Sequence, residues 1–190
     1  DFLTYHETIK GQSQLTISEY YLDLRMFLRF IKLMRSDMPI HTVLDDIPIK
    51  DVDLNFIREI TTSEIFDFLS YLANDRNPDP ESPAPEYGIG ATSRARKLSA
   101  IKSFYKYLTV RTKQLQDNPV ADLEYPKLRK SLPKYLTLQE SAALLKAVSG
   151  QNQERDYAIL MLFLNCGIRR SELVRLNLSD VYEDRIRVVG

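Results

Sequence analysis

The residues best suited to chemistry stand in one short run, Gly167-Ile168-Arg169-Arg170-Ser171-Glu172-Leu173. A planar guanidinium can grip two oxygens of a phosphate and offset charge developing there. The apolar stretch Ala158–Leu164 leads into Gly167, a residue type suited to a left-handed helix end, so a second helix is expected to begin near Arg169. At such an entrance the unpaired backbone N–H groups and the helix dipole already favour an anion. Glu172, three residues on, can reach back to Arg169 or to the cap and fix its geometry, whereas Arg170 and Arg175 fall on other faces. The same pattern fits an ordinary helix–Gly–helix turn with an i,i+3 ion pair, and this stretch alone does not separate the two readings.

A second set lies on one predicted helix, roughly Ala91–Gln114. Seven basic residues and no acidic one occur between Ala91 and Gln116, among them Arg94, Arg96, Lys97, Lys102 and Lys106. At helical spacing, Thr92, Arg96, Ser99, Ser103 and Lys106 share an arc opposite the Leu98/Ile101/Tyr105/Leu108 stripe, with Lys102 at its flank. Cations interleaved with small hydroxyls suit double-stranded DNA, the cations meeting phosphates and the hydroxyls meeting phosphate or base edges. A solvated helix surface is the plain alternative. The lack of acidic residues on the helix favours a polyanion, because solubilising faces mix signs. Lys127, Arg129 and Lys130, with Lys134, extend the footprint along the backbone.

The elements that must position these residues are mainly helical. A short helix is expected around Phe2, Leu3, Tyr5 and Ile9, followed by a long one over Leu15–Arg35, opened by Thr16 and Glu19 at capping-box spacing. Its apolar face is Tyr20, Leu24, Phe27, Leu28, Ile31 and Met34. Pro39 and the stretch Asp45–Asp53 read as loop. Thr61 and Glu64 open a helix to about Asp75, with Ile65, Phe68, Leu69 and Leu72 inward. Four prolines and two glycines make residues 77–90 a loop. Asn118-Pro119 breaks the chain, and Pro126 and Pro133 bracket a basic linker. Helices are expected at about 137–148, 153–165 and 170–177, and a strand at Arg185–Val189. The division is a helical domain over 1–115, a linker over 116–134 and the start of another domain over 135–190. That last part has no visible partner strand, so either the strand pairs outside the chain or the protein continues past Gly190.

Charge sharpens this division. The chain has 190 residues with 26 basic and 26 acidic side chains. Residues 1–90 carry −8, residues 91–136 carry +8 and residues 137–190 carry none. Net neutrality therefore conceals a basic middle, and a polyanion senses local charge within a Debye length of about 8–10 Å. An apolar share of 44% supports a packed core. No apolar run reaches the roughly 18 residues a membrane span needs. The first residues lack a signal-peptide pattern and an initiator Met, which points to a trimmed piece. The single cysteine, Cys166, fits a reducing, cytoplasmic setting and reads as a buried small hydrophobe. Tyr157 and Tyr182 read as core residues.

Cys166-Gly167-Ile168-Arg169-Arg170-Ser171-Glu172-Leu173, followed by Leu176 and Asp180, resembles the signature of tyrosine recombinases, the phage-integrase family, most closely its Xer-type branch. The order upstream is similar too: a basic helix ending Phe104-Tyr105-Lys106-Tyr107-Leu108, then Asn118-Pro119, Pro126-Lys127, Leu132-Pro133 and Leu136-Thr137-Leu138-Gln139-Glu140. The resemblance covers about residues 13–190. It implies a SAM-like four-helix core-binding domain followed by the first helices and first strand of a mixed α/β catalytic domain, together clamping double-stranded DNA. It also implies site-specific recombination through a 3′-phosphotyrosyl intermediate, without metal or cofactor, by a homo- or hetero-tetramer on paired sites. Arg169 then takes the place of the first catalytic arginine, supported by Glu172. The family's later lysine, His-x-x-Arg motif and nucleophilic tyrosine have no counterpart among these residues, so the chain alone is expected to be inactive. Cys166 departs from the family's usual threonine. The alternatives are a non-catalytic DNA-binding accessory protein derived from a recombinase, and a helical protein-interaction module.

Overall fold

The computed structural model describes residues 1–36, 38, 42–73, 88–128 and 132–188. Within them the chain is mainly helical and forms two compact units, Asp1–Arg129 and Lys130–Gly190.

In the first unit, α1 (Phe2–Thr8) leads through Gly11, at φ +61°, into the long α2 (Gln14–Arg35). Ser13 caps α2 by accepting from the Thr16 amide, so the Thr16/Glu19 box expected one turn later does not form. Two short turns follow in the segment read as loop and just after it, the second being α3 (Leu54–Arg58), capped by Asp53. The helix α4 (Thr62–Ala73) opens on the expected box: the Thr61 amide donates to Glu64 at 2.8 Å, and the Glu64 amide donates to Thr61 Oγ1 at 3.3 Å. Next comes α5 (Ala91–Lys106), with no proline or glycine inside it. The α-geometry expected to run to about Gln114 instead widens at Tyr107–Arg111 into a single π turn, closed by the Thr112 amide donating to the Tyr107 carbonyl at 3.0 Å.

The core of this unit joins Leu24, Phe27 and Ile31 of α2, Ile65, Phe68 and Leu72 of α4, and Leu98, Ile101, Tyr105 and Leu108 of the α5 segment. Aromatic rings lock the helices edge-on, with Phe27 and Phe68 at 5.3 Å. The apolar stripes read from spacing thus meet one another, except that Met34 lies outside the core at 58% exposure. Leu115, Val120 and Leu123 are also buried here, so the segment read as a linker over 116–134 begins by packing against the helices.

The second unit contains α6 (Leu138–Lys146), α7 (Gln153–Cys166) and α8 (Arg170–Arg175). Thr137 and Glu140 form the expected capping box on α6. Gly167 adopts φ +61° and ends α7 in the left-handed conformation, as its type predicts. The strand expected at Arg185–Val189 is reduced, among the described residues, to one antiparallel bridge between Val181 and Ile186. Val189 lies outside the described residues. Three further expectations change: Cys166 is exposed, and Tyr157 and Tyr182 are 45% and 44% exposed. None of the three enters the core. Among the described residues no helix is long and apolar enough to cross a membrane.

Candidate nucleic-acid interface and arginine site

The α5 surface begins from the buried stripe just described, which leaves the opposite arc outward. Thr92 and Lys106 are exposed and Ser99 half-buried, and among the described residues none of the three side chains has a hydrogen-bond or ion-pair partner. The other members are engaged. Arg94 donates to the Ile89 carbonyl at 2.5 Å. Lys102 lies 5.3 Å from the centre of the Tyr125 ring. The Ser103 hydroxyl sits 3.0 Å from His6 Nε2, while His6 Nδ1 lies 2.9 Å from Gln12 Oε1. A carboxamide oxygen can only accept, so Nδ1 carries the His6 proton and Ser103 must donate to Nε2. Burial, aided by the charge of Lys10, holds the His6 pKa below its ordinary value, which keeps the ring neutral.

Arg96 and Lys97 change most from the sequence reading. Their counter-charges come from a different helix. Asp23 of α2, with its side chain 1% exposed, accepts from Arg96 at 2.6 and 3.0 Å and from Lys97 Nζ at 2.7 Å. Glu19 adds a contact to Arg96 at 2.8 Å. Lys97 is 8% exposed. Its ammonium is committed to this pair, which removes it from the outward set. Arg96 keeps 44% of its side chain exposed and is held rigidly by the carboxylate fork. Helical spacing carried the signal: Asp23 falls between Tyr20, Leu24 and Phe27, and Lys97 lies four residues before Ile101, so each charge sits against an apolar stripe. Two charges in such places have to find each other.

Of the linker cations, Lys127 is exposed, and Arg129 and Lys130 lie outside the described residues.

In the second unit, Arg169 occupies the residue before α8, with extended backbone at φ −78° and ψ 153°. Glu172 reaches back from the first turn: one oxygen accepts from the Arg169 amide at 2.7 Å, the other from its guanidinium at 2.8 Å. The two bonds, the backbone one foremost, draw the Glu172 pKa below its ordinary value. Glu172 is 14% exposed along its side chain while Arg169 is 81% exposed, so the carboxylate serves as anchor and the guanidinium as the projecting group. One guanidinium nitrogen is held and the remaining edge faces outward. Behind α8, buried Asp180 accepts from the Asn177 amide at 3.1 Å and pairs with Arg187 at 3.3 Å, tying the helix exit to the bridge.

The geometry can be set beside known proteins. No family model matches the chain. A tyrosine recombinase XerC of Caldanaerobacter subterraneus is 43% identical over 190 residues, covering 100% of this chain and 51% of that protein. This chain is homologous to the Xer-type tyrosine recombinases. A XerC of Myxococcus xanthus is 35% identical over 100% of the chain and 54% of its own length, and a XerD of Proteus mirabilis is 34% identical over 95% and 49%. A crystal structure of XerA recombinase aligns with a TM-score of 0.36 at 25% identity, over 98% of this chain and 56% of that one. The chain spans about half the length of the curated Xer relatives it matches.

Proposed function

We propose that this chain is the DNA-binding and first-arginine portion of a Xer-type site-specific recombinase, which cleaves and rejoins duplex DNA through a 3′-phosphotyrosyl link. The observation that carries the reading is Arg169: an exposed guanidinium at a helix entrance, fixed by a buried-side carboxylate, in the stretch where the sequence resembles the family's signature. A bidentate donor held in advance can bind phosphate oxygens at small reorganisation cost and stabilise charge developing at phosphorus. In this reading Arg169 is the catalytic group and Glu172 the positioning one.

On the first unit, the DNA-facing set is Thr92, Arg96, Ser99, Lys102 and Lys106, with Lys127 beyond. Arg94 supports it from the start of α5, and Ser103 lines it with its proton turned toward His6. Lys97 takes part through Asp23, by holding the carboxylate that orients Arg96. Arg129 and Lys130 continue the basic track by sequence. A tetramer on paired sites and the absence of a metal requirement come with the same reading.

Fluorescence anisotropy of the chain on a labelled duplex across a salt series tests the binding half. Affinity should fall steeply with salt, by about 0.9 in slope for each phosphate neutralised. Binding that ignores salt, or no binding at low salt, would contradict it.

A further inference from the structure

The basic arc of α5 does not stop at the end of the α-helix. In a regular α-helix, residues five apart are rotated by about 140°, so Arg111 would leave the face that carries Lys106. The π turn over Tyr107–Arg111 changes this, because i→i+5 bonding brings residues five apart close to register. Arg111 is thereby returned beside Lys106. From the other side, α1 and the left-handed Gly11 bring Lys10 to the same place. These three cations rim one recess of about 190 Å³, floored by Ser103 and by the Tyr5 and Tyr107 rings, whose centroids lie 5.2 Å apart.

Three features give the recess its chemistry. Lys10, Lys106 and Arg111 are exposed, and among the described residues none of them has an ion-pair partner. No carboxylate lines the recess. Burial holds the pKa of the His6 ring beneath below its ordinary value, against the opposing pull of its bond to Gln12, so near neutral pH that ring adds no charge to the rim. Three converging cations without a counter-ion repel one another, and an anion relieves that repulsion. A guanidinium fork and two ammonium groups match the several oxygens of a phosphate better than the two of a carboxylate. The recess takes one such group and is too small for a base pair.

We propose that this recess holds one backbone phosphate of bound duplex DNA, and that Lys10 and Arg111 belong to the DNA interface through it. The inference rests on the DNA-binding reading above and extends it to a fixed anchor that sets the register of α5 on the duplex.

The test compares the chain with its Lys10→Gln/Arg111→Gln variant, which leaves Lys106 in place, and with Lys50→Gln as a distant control, by anisotropy on a labelled duplex over a salt series. Both residues substituted at the recess are exposed, and an unchanged urea midpoint verifies the fold. Losing one phosphate contact should lower the salt slope by about 1 and weaken binding about 10- to 100-fold at low salt, with the control unchanged. A parent chain with a steep slope and a double variant with the same slope would overturn the recess while leaving the DNA reading standing. A parent chain that does not bind DNA would overturn both. Titration of inorganic phosphate, followed by amide shifts at Ser103 and Lys106, separates the remaining source. Shifts at millimolar phosphate in a chain whose DNA slope ignores these residues would make this a free-anion site and overturn the proposal.

Discussion

Asp23 is the residue on which the basic helix depends. Its buried carboxylate receives three hydrogen bonds from two cations of α5 and joins that helix to α2. Sequence alone shows a helix without acids, which leaves its cations open to DNA. Helix-local spacing cannot show that the acids sit seventy residues upstream on a packed neighbour, though an Asp inside an apolar stripe hinted at it. The energetics are asymmetric: breaking a buried pair by removing one partner leaves the other charge uncompensated, at a cost of about 3–5 kcal/mol. Asp23→Ala should therefore lower stability by that order in urea denaturation, and adding Lys97→Met should restore much of it. A loss under about 1 kcal/mol for Asp23→Ala would mean that Lys97 finds water easily and that the pair is ornamental.

At the scale of elements, capping chemistry was legible and helix geometry beyond the cap was less so. Thr61/Glu64 and Thr137/Glu140 form their boxes because each pair stands at a free helix entrance. Thr16/Glu19 fails because Ser13 has already opened the helix, and Glu19 turns to Arg96 instead. The π turn had no sequence marker, and the expected strand at Arg185–Val189 could not be read as more than β-branched composition without its partner. Glu64 illustrates how one cap also ties elements together: besides capping α4 it accepts from Arg35 of α2 at 2.5 and 2.9 Å. Those bonds, the guanidinium first, hold its pKa below 4.5. As pH falls, the unfolded chain takes up this proton before the folded one does, so the contribution is present above the unfolded value and is lost through the folded one. The stability difference between the parent and Glu64→Gln should be about 1–2 kcal/mol near neutral pH and shrink as the pH falls through and below the ordinary carboxylate range. A difference that stays constant with pH would assign the effect to packing.

For the molecule as a whole, the neutral total of 26 basic and 26 acidic residues conceals how charge is used. Acids of the first ninety residues are spent partly on α2 and α4 ties and partly on ordering α5, and the cations left over gather on its outer arc and at the π turn. The helical character and the Gly167–Arg169–Glu172 turn were legible, since each depends on local spacing. Which cations remain available was not, because that depends on packing between helices distant in sequence. The proposed function needs Arg169 to act on the phosphate, and that role is open to direct measurement. In the complete recombinase proposed here, a nicked duplex that traps the covalent protein–DNA adduct measures it directly. Arg169→Ala should lower adduct formation by on the order of 10²–10³ with DNA affinity unchanged, and Arg169→Lys should not restore it, since a point charge lacks the fork. Adduct formation at the parent rate in Arg169→Ala would contradict the account.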